Sequence, residues 1–225
     1  MKTIVITGTS RGIGAELTLQ LAKEGHTVIA LSRKNNPDFD AFKNIHFLSV
    51  DLSEVQSIEQ LKNNIQSITT SVDVIIHNAG AIVNRPFEEI TNEDFLFLYR
   101  VNVIGVAQLN QVVLPMMNAG GHVVTISSMG GVHGTMKFPG LAAYSSSKAA
   151  AITLSELLAE EYKEQKISFN VLALGAVQTE MLEEAFPGYQ APIQPYEMAV
   201  YIKDFALTAN KYFNGKVLQV SSTTP

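Results

Sequence analysis

Thr3-Ile4-Val5-Ile6-Thr7-Gly8-Thr9-Ser10-Arg11-Gly12-Ile13-Gly14 is the stretch on which the fold turns. Its first five residues are all β-branched and read as a buried strand. Ile13, Leu17 and Leu21 then recur at four-residue spacing, which is one face of a helix. Between strand and helix stand three glycines within seven residues, where the backbone must turn tightly and approach a ligand closely. The N-terminus of the helix offers free N–H groups and a partial positive charge to a pyrophosphate. The spacing is Gly-x-x-x-Gly-x-Gly. It differs from the Gly-x-Gly-x-x-Gly fingerprint and lacks the Gly-Lys-Ser/Thr of a P-loop, so nucleotide hydrolysis is disfavoured.

Outward from this turn, short apolar runs alternate with helical patterns. The runs are Thr3–Thr7, Thr27–Leu31, Ile45–Val50, Val72–Ile76, His122–Ser127, Ser168–Ala173 and Val217–Val220. Near-continuous apolarity marks strands covered on both faces, hence a parallel sheet. Ile58, Leu61, Ile65 and Ile68, and later Leu154, Leu157, Leu158 and Tyr162, carry helical spacing. The expected fold class is α/β: a Rossmann-like, doubly wound parallel sheet of about seven strands with helices on both faces. It would form a single dinucleotide-binding and catalytic domain over residues 1–225. Lys34–Lys43 has room for a short helix at most, and Thr179–Pro195, with Pro187, Gly188, Pro192 and Pro195, reads as a mobile loop.

Composition bounds the function. The 225 residues carry 16 Lys+Arg against 21 Asp+Glu, a net charge of −5, which argues against nucleic acid as the main partner. With 46% apolar and 16% charged residues, the chain has the makings of a full core. The absence of Cys excludes disulfides, thiolate zinc sites and iron–sulfur clusters. No histidine pairs with another at metal-ligand spacing, no Gly-x-Ser-x-Gly elbow occurs, and no metal is expected. Ile4-Val5-Ile6 is too short for a signal-peptide core and no long apolar run suggests a membrane span, so a cytoplasmic location is expected.

Further motifs follow the glycine turn: His77-Asn78-Ala79-Gly80 after the fourth strand, Asn102, Ser128, Tyr144-x-x-x-Lys148, Gly175-Ala176-Val177-Gln178-Thr179 and Asn214-Gly215-Lys216. In this order they resemble the short-chain dehydrogenase/reductase family, of the classical type, over almost the whole chain. The resemblance implies a catalytic set of Asn102, Ser128, Tyr144 and Lys148. It also implies cofactor contacts from Gly8, Ser10, Arg11, Gly12, Ile13, Gly14, Asn78, Ala79, Gly80, Gly175, Val177 and Thr179. It puts Asp51 and Leu52 on the adenine and Lys148 on the nicotinamide ribose, and implies transfer of the pro-S hydride. In the family, an Asn like Asn102 holds a water linking the Lys to solvent. Oligomerisation as a homodimer or homotetramer is implied as well. His77 stands in place of an Asn, Leu174 in place of a Pro, and the Ser128–Tyr144 interval is longer than in many members.

Which nicotinamide cofactor is used turns on the end of the second strand, Ala30-Leu31-Ser32-Arg33-Lys34. No acid stands there to bind a ribose 2′-hydroxyl. Arg33 and Arg11 together can clamp a 2′-phosphate, with Ser32 adding a hydroxyl, so NADP(H) is expected. For the chemistry, Tyr144 and Lys148 share one helix face, and a neighbouring ammonium favours the phenolate. Tyr144 is then the general acid/base toward a small-molecule carbonyl or alcohol, and Ser128 orients the reacting oxygen. The expected activity is NADP-dependent carbonyl reduction. The alternative is a non-catalytic NADP-binding, redox-sensing protein of the same fold, which would not need a proton donor.

Overall fold

The computed structural model describes residues 1–222, so the last three positions of the 1–225 range lie outside the described residues. All seven expected strands form: β1 (Thr3–Thr7), β2 (Thr27–Ser32), β3 (Ile45–Ser49), β4 (Val72–His77), β5 (Met117–Ser128), β6 (Ser168–Leu174) and β7 (Lys216–Val220). They make one sheet in the order β3-β2-β1-β4-β5-β6-β7, and every neighbouring pair is parallel. The order reverses between β1 and β4, where Ile4 faces Val74 across the ladder. Crossovers leave to opposite sides there and open a crevice at the strands' C-terminal ends, the place where open α/β sheets bind ligands.

Alternation along each strand explains the two-sided core. Ile4 and Ile6 pack with Leu17 and Leu21 of α1 (Gly12–Lys23) and with Met198, Ile202 and Phe205 of α8 (Pro195–Thr208). Val5 faces the other way, toward Ile58 of α2 (Val55–Glu59), Leu61 and Ile65 of α3 (Leu61–Gln66), and Leu109 and Val113 of α5 (Gly105–Val113). On that side α6 (Ala142–Glu161) buries Ala159 in the same cluster.

One element departs from regular α-helix and another from the expected loop. The helical stretch around Asn102 is not continuous. A π-helical turn, Arg100–Ile104, separates α4 (Asn92–Tyr99) from α5 and rotates Asn102 inward. The segment 179–195 is not a bare loop. Thr179 caps a short helix, α7 (Glu180–Ala185), by accepting from the Leu182 amide. The segment's ends are tied by Gln178, whose side chain accepts from Ala191 N and whose amide donates to Ile193 O.

Candidate active site

The glycine turn is built for close approach. Gly8 and Gly12 have φ of +73° and +58°, a region that L side chains rarely adopt. A Cβ on Gly14 would lie 2.2 Å from the Gly8 carbonyl oxygen, so this position admits hydrogen only. α1 begins at Arg11 with no side chain capping its free amides. Uncapped amides above a glycine turn at the crevice are a donor set that suits a pyrophosphate. A groove of about 540 Å³ opens beside the turn, lined by Ser10, Arg11, Gly12, Asn36, Thr179 and Glu180 among others. Ile13 packs partly buried against the core.

The His77–Gly80 motif braces this turn. Asn78 Nδ2 donates to the carbonyls of Thr7 and Gly8 at 3.0 and 3.2 Å, and the Ala79 amide donates to Thr7 Oγ1 at 3.0 Å. Gly80 lies against Lys148 and Asn102, since a Cβ there would stand 3.2 Å from Lys148 Nζ and 3.5 Å from Asn102 Oδ1. His77 itself is buried, with Nε2 2.8 Å from Asn110 Oδ1 of α5.

Asn102, Ser128, Tyr144 and Lys148 are brought together as expected, but their bonding is more specific than spacing suggests. Asn102 spends its amide wholly on protein. Oδ1 accepts from Ala81 N at 2.8 Å, and Nδ2 donates to Ala81 O and Ser147 Oγ, both at 2.9 Å. Ser147 Oγ in turn donates to the Tyr144 carbonyl at 2.7 Å. Ser147 was not singled out from the sequence. Its signal lay in its place on the buried face, three residues after Tyr144 and beside Lys148.

Ser128 Oγ accepts from Gly130 N at 3.2 Å, whereas Ser127 is buried and donates to the Lys148 carbonyl. Strand alternation thus gives the two serines separate tasks. The expected lowering of the Tyr144 pKa by Lys148 is not what the structure shows. Burial pushes the phenol above its ordinary value, with the Ser128 hydroxyl opposing. Lys148 Nζ donates to Ile126 O at 2.9 Å and sits 5.9 Å from the centre of the Tyr144 ring. Burial pushes the lysine down to about 8.

At the adenosine end the expected residues gather with altered duties. The Ser32 hydroxyl is buried, donates to Lys34 O at 2.7 Å and accepts from Thr9 Oγ1, so its proton is already committed. Arg33 is exposed and forms no ion pair among the described residues. Arg11 is paired with a carboxylate of α7. Its NH1 and NH2 meet both carboxylate oxygens of Glu184 at 2.5 and 2.9 Å. Asp51 Oδ1 accepts from the amide and hydroxyl of Ser53. Burial raises the Asp51 carboxyl, but those bonds and the charge of Arg33 outweigh it and hold it below its ordinary value. Leu52 is buried, and its carbonyl lies 2.6 Å from where a Cβ on Gly105 would stand. At the nicotinamide end Gly175 abuts Ser221, Val177 is buried and bridges to Ile193, and the Thr179 side chain lies beside Gly12. Among the described residues no helix is long and apolar enough to cross a membrane, and no three His, Asp or Glu side chains cluster to hold a metal.

The short chain dehydrogenase family model matches residues 2–190. An NADPH-dependent pterin aldehyde reductase from Arabidopsis thaliana is 34% identical over 206 residues, spanning 85% of this chain and 83% of that protein. A farnesol dehydrogenase from Aedes aegypti is 30% identical over 198 residues, spanning 82% and 80%. The solved structure of a 4-hydroxyisoleucine dehydrogenase complexed with NADH is similar at a TM-score of 0.84 and 25% identity, covering 98% of this chain and 97% of that one. The glycine turn, the seven-stranded order and these likenesses agree: the chain belongs to the short-chain dehydrogenase family and is an oxidoreductase that moves hydride between a nicotinamide cofactor and a carbonyl or alcohol carbon.

Proposed function

We propose that this protein is an NADP-preferring carbonyl reductase whose proton donor is Tyr144. The observation that carries the assignment is the buried Lys148 ammonium, 5.9 Å from the centre of the Tyr144 ring and beside Gly80 and Asn102, with Ser128 at the end of the strand that Lys148 bonds. NADPH, when bound, supplies the hydride to the carbonyl carbon. Tyr144 gives its phenolic proton to the substrate oxygen, and Ser128 fixes that oxygen by a hydrogen bond. Lys148 keeps a positive charge near the phenol and reaches the ribose. Asn102 is a positioning residue: its three hydrogen bonds tie the loop after β4 to the second turn of α6. Burial raises the phenol's pKa, which suits the reducing direction, because it keeps the proton in place until the substrate oxygen becomes basic.

The phosphorylated cofactor is supported by Arg33, an exposed guanidinium that forms no ion pair among the described residues, at the end of a strand that carries no acid. The pterin aldehyde reductase, named for NADPH, is a relative of the same kind. The proposal takes residues 1–225 as a single domain working in the cytoplasm as a homodimer or homotetramer. Leu96, Phe97 and Ile104, all more than 40% exposed along α4 and the π-helical turn, support the oligomer.

Tyr144→Phe keeps the ring and removes the proton. Turnover is expected to fall by roughly two to four orders of magnitude, as for loss of a general acid. NADPH affinity, followed by nicotinamide fluorescence, should stay near the wild-type value, and a Phe variant that still reduces carbonyl compounds at a normal rate would overturn the assignment. Arg33→Asp tests the cofactor. Loss of one charge-assisted hydrogen bond, about 1.5–3 kcal/mol, weakens NADPH by roughly 10- to 150-fold and leaves NADH unchanged or improved. Both dissociation constants are measured at one ionic strength, because exposed charges are screened. An unmoved ratio makes Arg33 a solvated loop charge.

A further inference from the structure

Arg11 and Glu184 form a bidentate ion pair that joins the glycine turn to α7. Arg11 makes no other ion pair among the described residues. The next residue of α7 is tied separately, by Asn84 Nδ2 donating to Ala185 O at 2.9 Å. The same turn also forms one wall of the adenosine corner. Asn36 Nδ2, from the loop after Arg33, donates to Ser10 O at 3.3 Å, and Thr9 Oγ1 reaches Ser32 Oγ at 3.2 Å. Arg11 therefore stands between a carboxylate on α7 and the corner where Arg33 lies.

A guanidinium carries five N–H donors, and its end-on fork, NH1 with NH2, grips one anion bidentately, so a second anion that takes that fork must displace the first. Glu184 holds that fork through NH1 and NH2. We infer that Glu184 is a resident stand-in for the cofactor's 2′-phosphate: when a 2′-phosphorylated adenosine binds at Arg33, Arg11 exchanges Glu184 for the phosphate, and α7 is unlatched from the glycine turn. This rests on the NADP reading above. Both partners are about half exposed, 48% and 61%, so the exchange trades one screened ion pair for another and costs little free energy. Glu184 then has two effects. It competes with the phosphate, and it couples occupation of the adenosine end to release of the helix that Thr179 caps beside the nicotinamide end.

Adenosine 2′,5′-bisphosphate and adenosine 5′-monophosphate make suitable probes, because neither carries a nicotinamide. Their affinities are measured by calorimetry at one ionic strength for wild type, Glu184→Gln and Glu183→Gln. Glu183 is the control, a neighbouring carboxylate bonded to Gly188 N rather than to Arg11. Amide hydrogen exchange across 180–185 is followed in parallel. Glu184→Gln is expected to bind the bisphosphate about two- to fivefold more tightly, the range of an exposed ion pair, with the monophosphate unchanged. Glu183→Gln should leave the preference where it is. In wild type the bisphosphate, and not the monophosphate, should speed exchange in α7. In Glu184→Gln that exchange should be fast without ligand. If wild type prefers the bisphosphate but Glu184→Gln alters neither preference nor exchange, or if both Gln variants gain equally, the latch is wrong and the NADP reading stands. If wild type does not distinguish the two nucleotides, both fall.

Discussion

At the scale of single residues, the site depends on how each polar group is already employed. Tyr144, Lys148 and Ser128 were legible through the family resemblance that their motifs carry in order; periodicity adds only that Tyr144 and Lys148 share one helix face. Their partners were not legible. That Ser147 clasps Asn102, that Thr7 Oγ1 receives the Ala79 amide, and that Arg11 answers to Glu184 all depend on contacts between distant segments. No local pattern encodes them. The Lys148 ammonium is the clearest case. Its neighbour in sequence pattern is Tyr144, but its bond in space is to Ile126 O, and burial brings it to about 8. The charged form persists below that value and is lost as pH rises through it. We expect kcat/KM for NADPH, which reports the free enzyme, to fall toward tenfold per pH unit above about 8. In Lys148→Met the same measurement should be low at neutral pH and show no such limb. A wild-type profile flat to pH 9.5 would show that the lysine's charge is not used.

At the scale of elements, the strands were legible because each is a short apolar run between turn residues, and the parallel sheet follows from their burial on both faces. The π-helical turn was illegible, since apolar spacing does not distinguish i→i+4 from i→i+5 bonding over five residues. α7 was hidden by the prolines and glycine after it. Thr179 followed by Glu180 and Glu183 was the available cue, a capping hydroxyl with acids in the first turn. The start of α1 allows a sharp test of fit. Alanine favours a helix over glycine by about 1 kcal/mol, so Gly14→Ala would stabilise an isolated α1. In the protein its Cβ would meet Gly8 O at 2.2 Å and Asn78 Nδ2 at 2.5 Å, and backbone cannot yield that far without reshaping the turn. Thermal unfolding should shift down, and NADPH affinity should drop at least tenfold. An alanine variant as stable as wild type that binds NADPH normally would mean the turn is slack.

At the scale of the whole molecule, two buried histidines tie the faces of the sheet together and make the fold sensitive to acid. His122 on β5 has Nδ1 3.0 Å from Ala206 O of α8, and Asn170 Nδ2 on β6 lies 2.9 Å from its Nε2. His77 reaches α5 on the opposite face. Burial holds each at about 4, well below the ordinary value near 6.5. Above about pH 6.5 both are neutral whether folded or not, and stability is whole. As pH falls from there toward 4 the unfolded chain takes up protons that the folded one refuses, so stability is lost, on the order of 2 kcal/mol per histidine by pH 5. Urea unfolding of His122→Gln should start from a lower stability at pH 7.5 but decline less between pH 7.5 and 5. An unchanged slope would assign the acid sensitivity elsewhere. The sheet's connectivity has a consequence of another kind. Every neighbouring pair of strands is parallel, so none is joined by a hairpin, and β1 finds its second partner only when Ile4 meets Val74. Each ladder therefore closes a long loop before it gains contacts, and the β1–β4 pairing that opens the crevice closes one of the longest. Refolding belongs to the slow end of the kinetic scale for this reason, and until the crossovers dock, the apolar strands stand open to one another on different chains, so dilution matters as much as temperature when the protein is renatured.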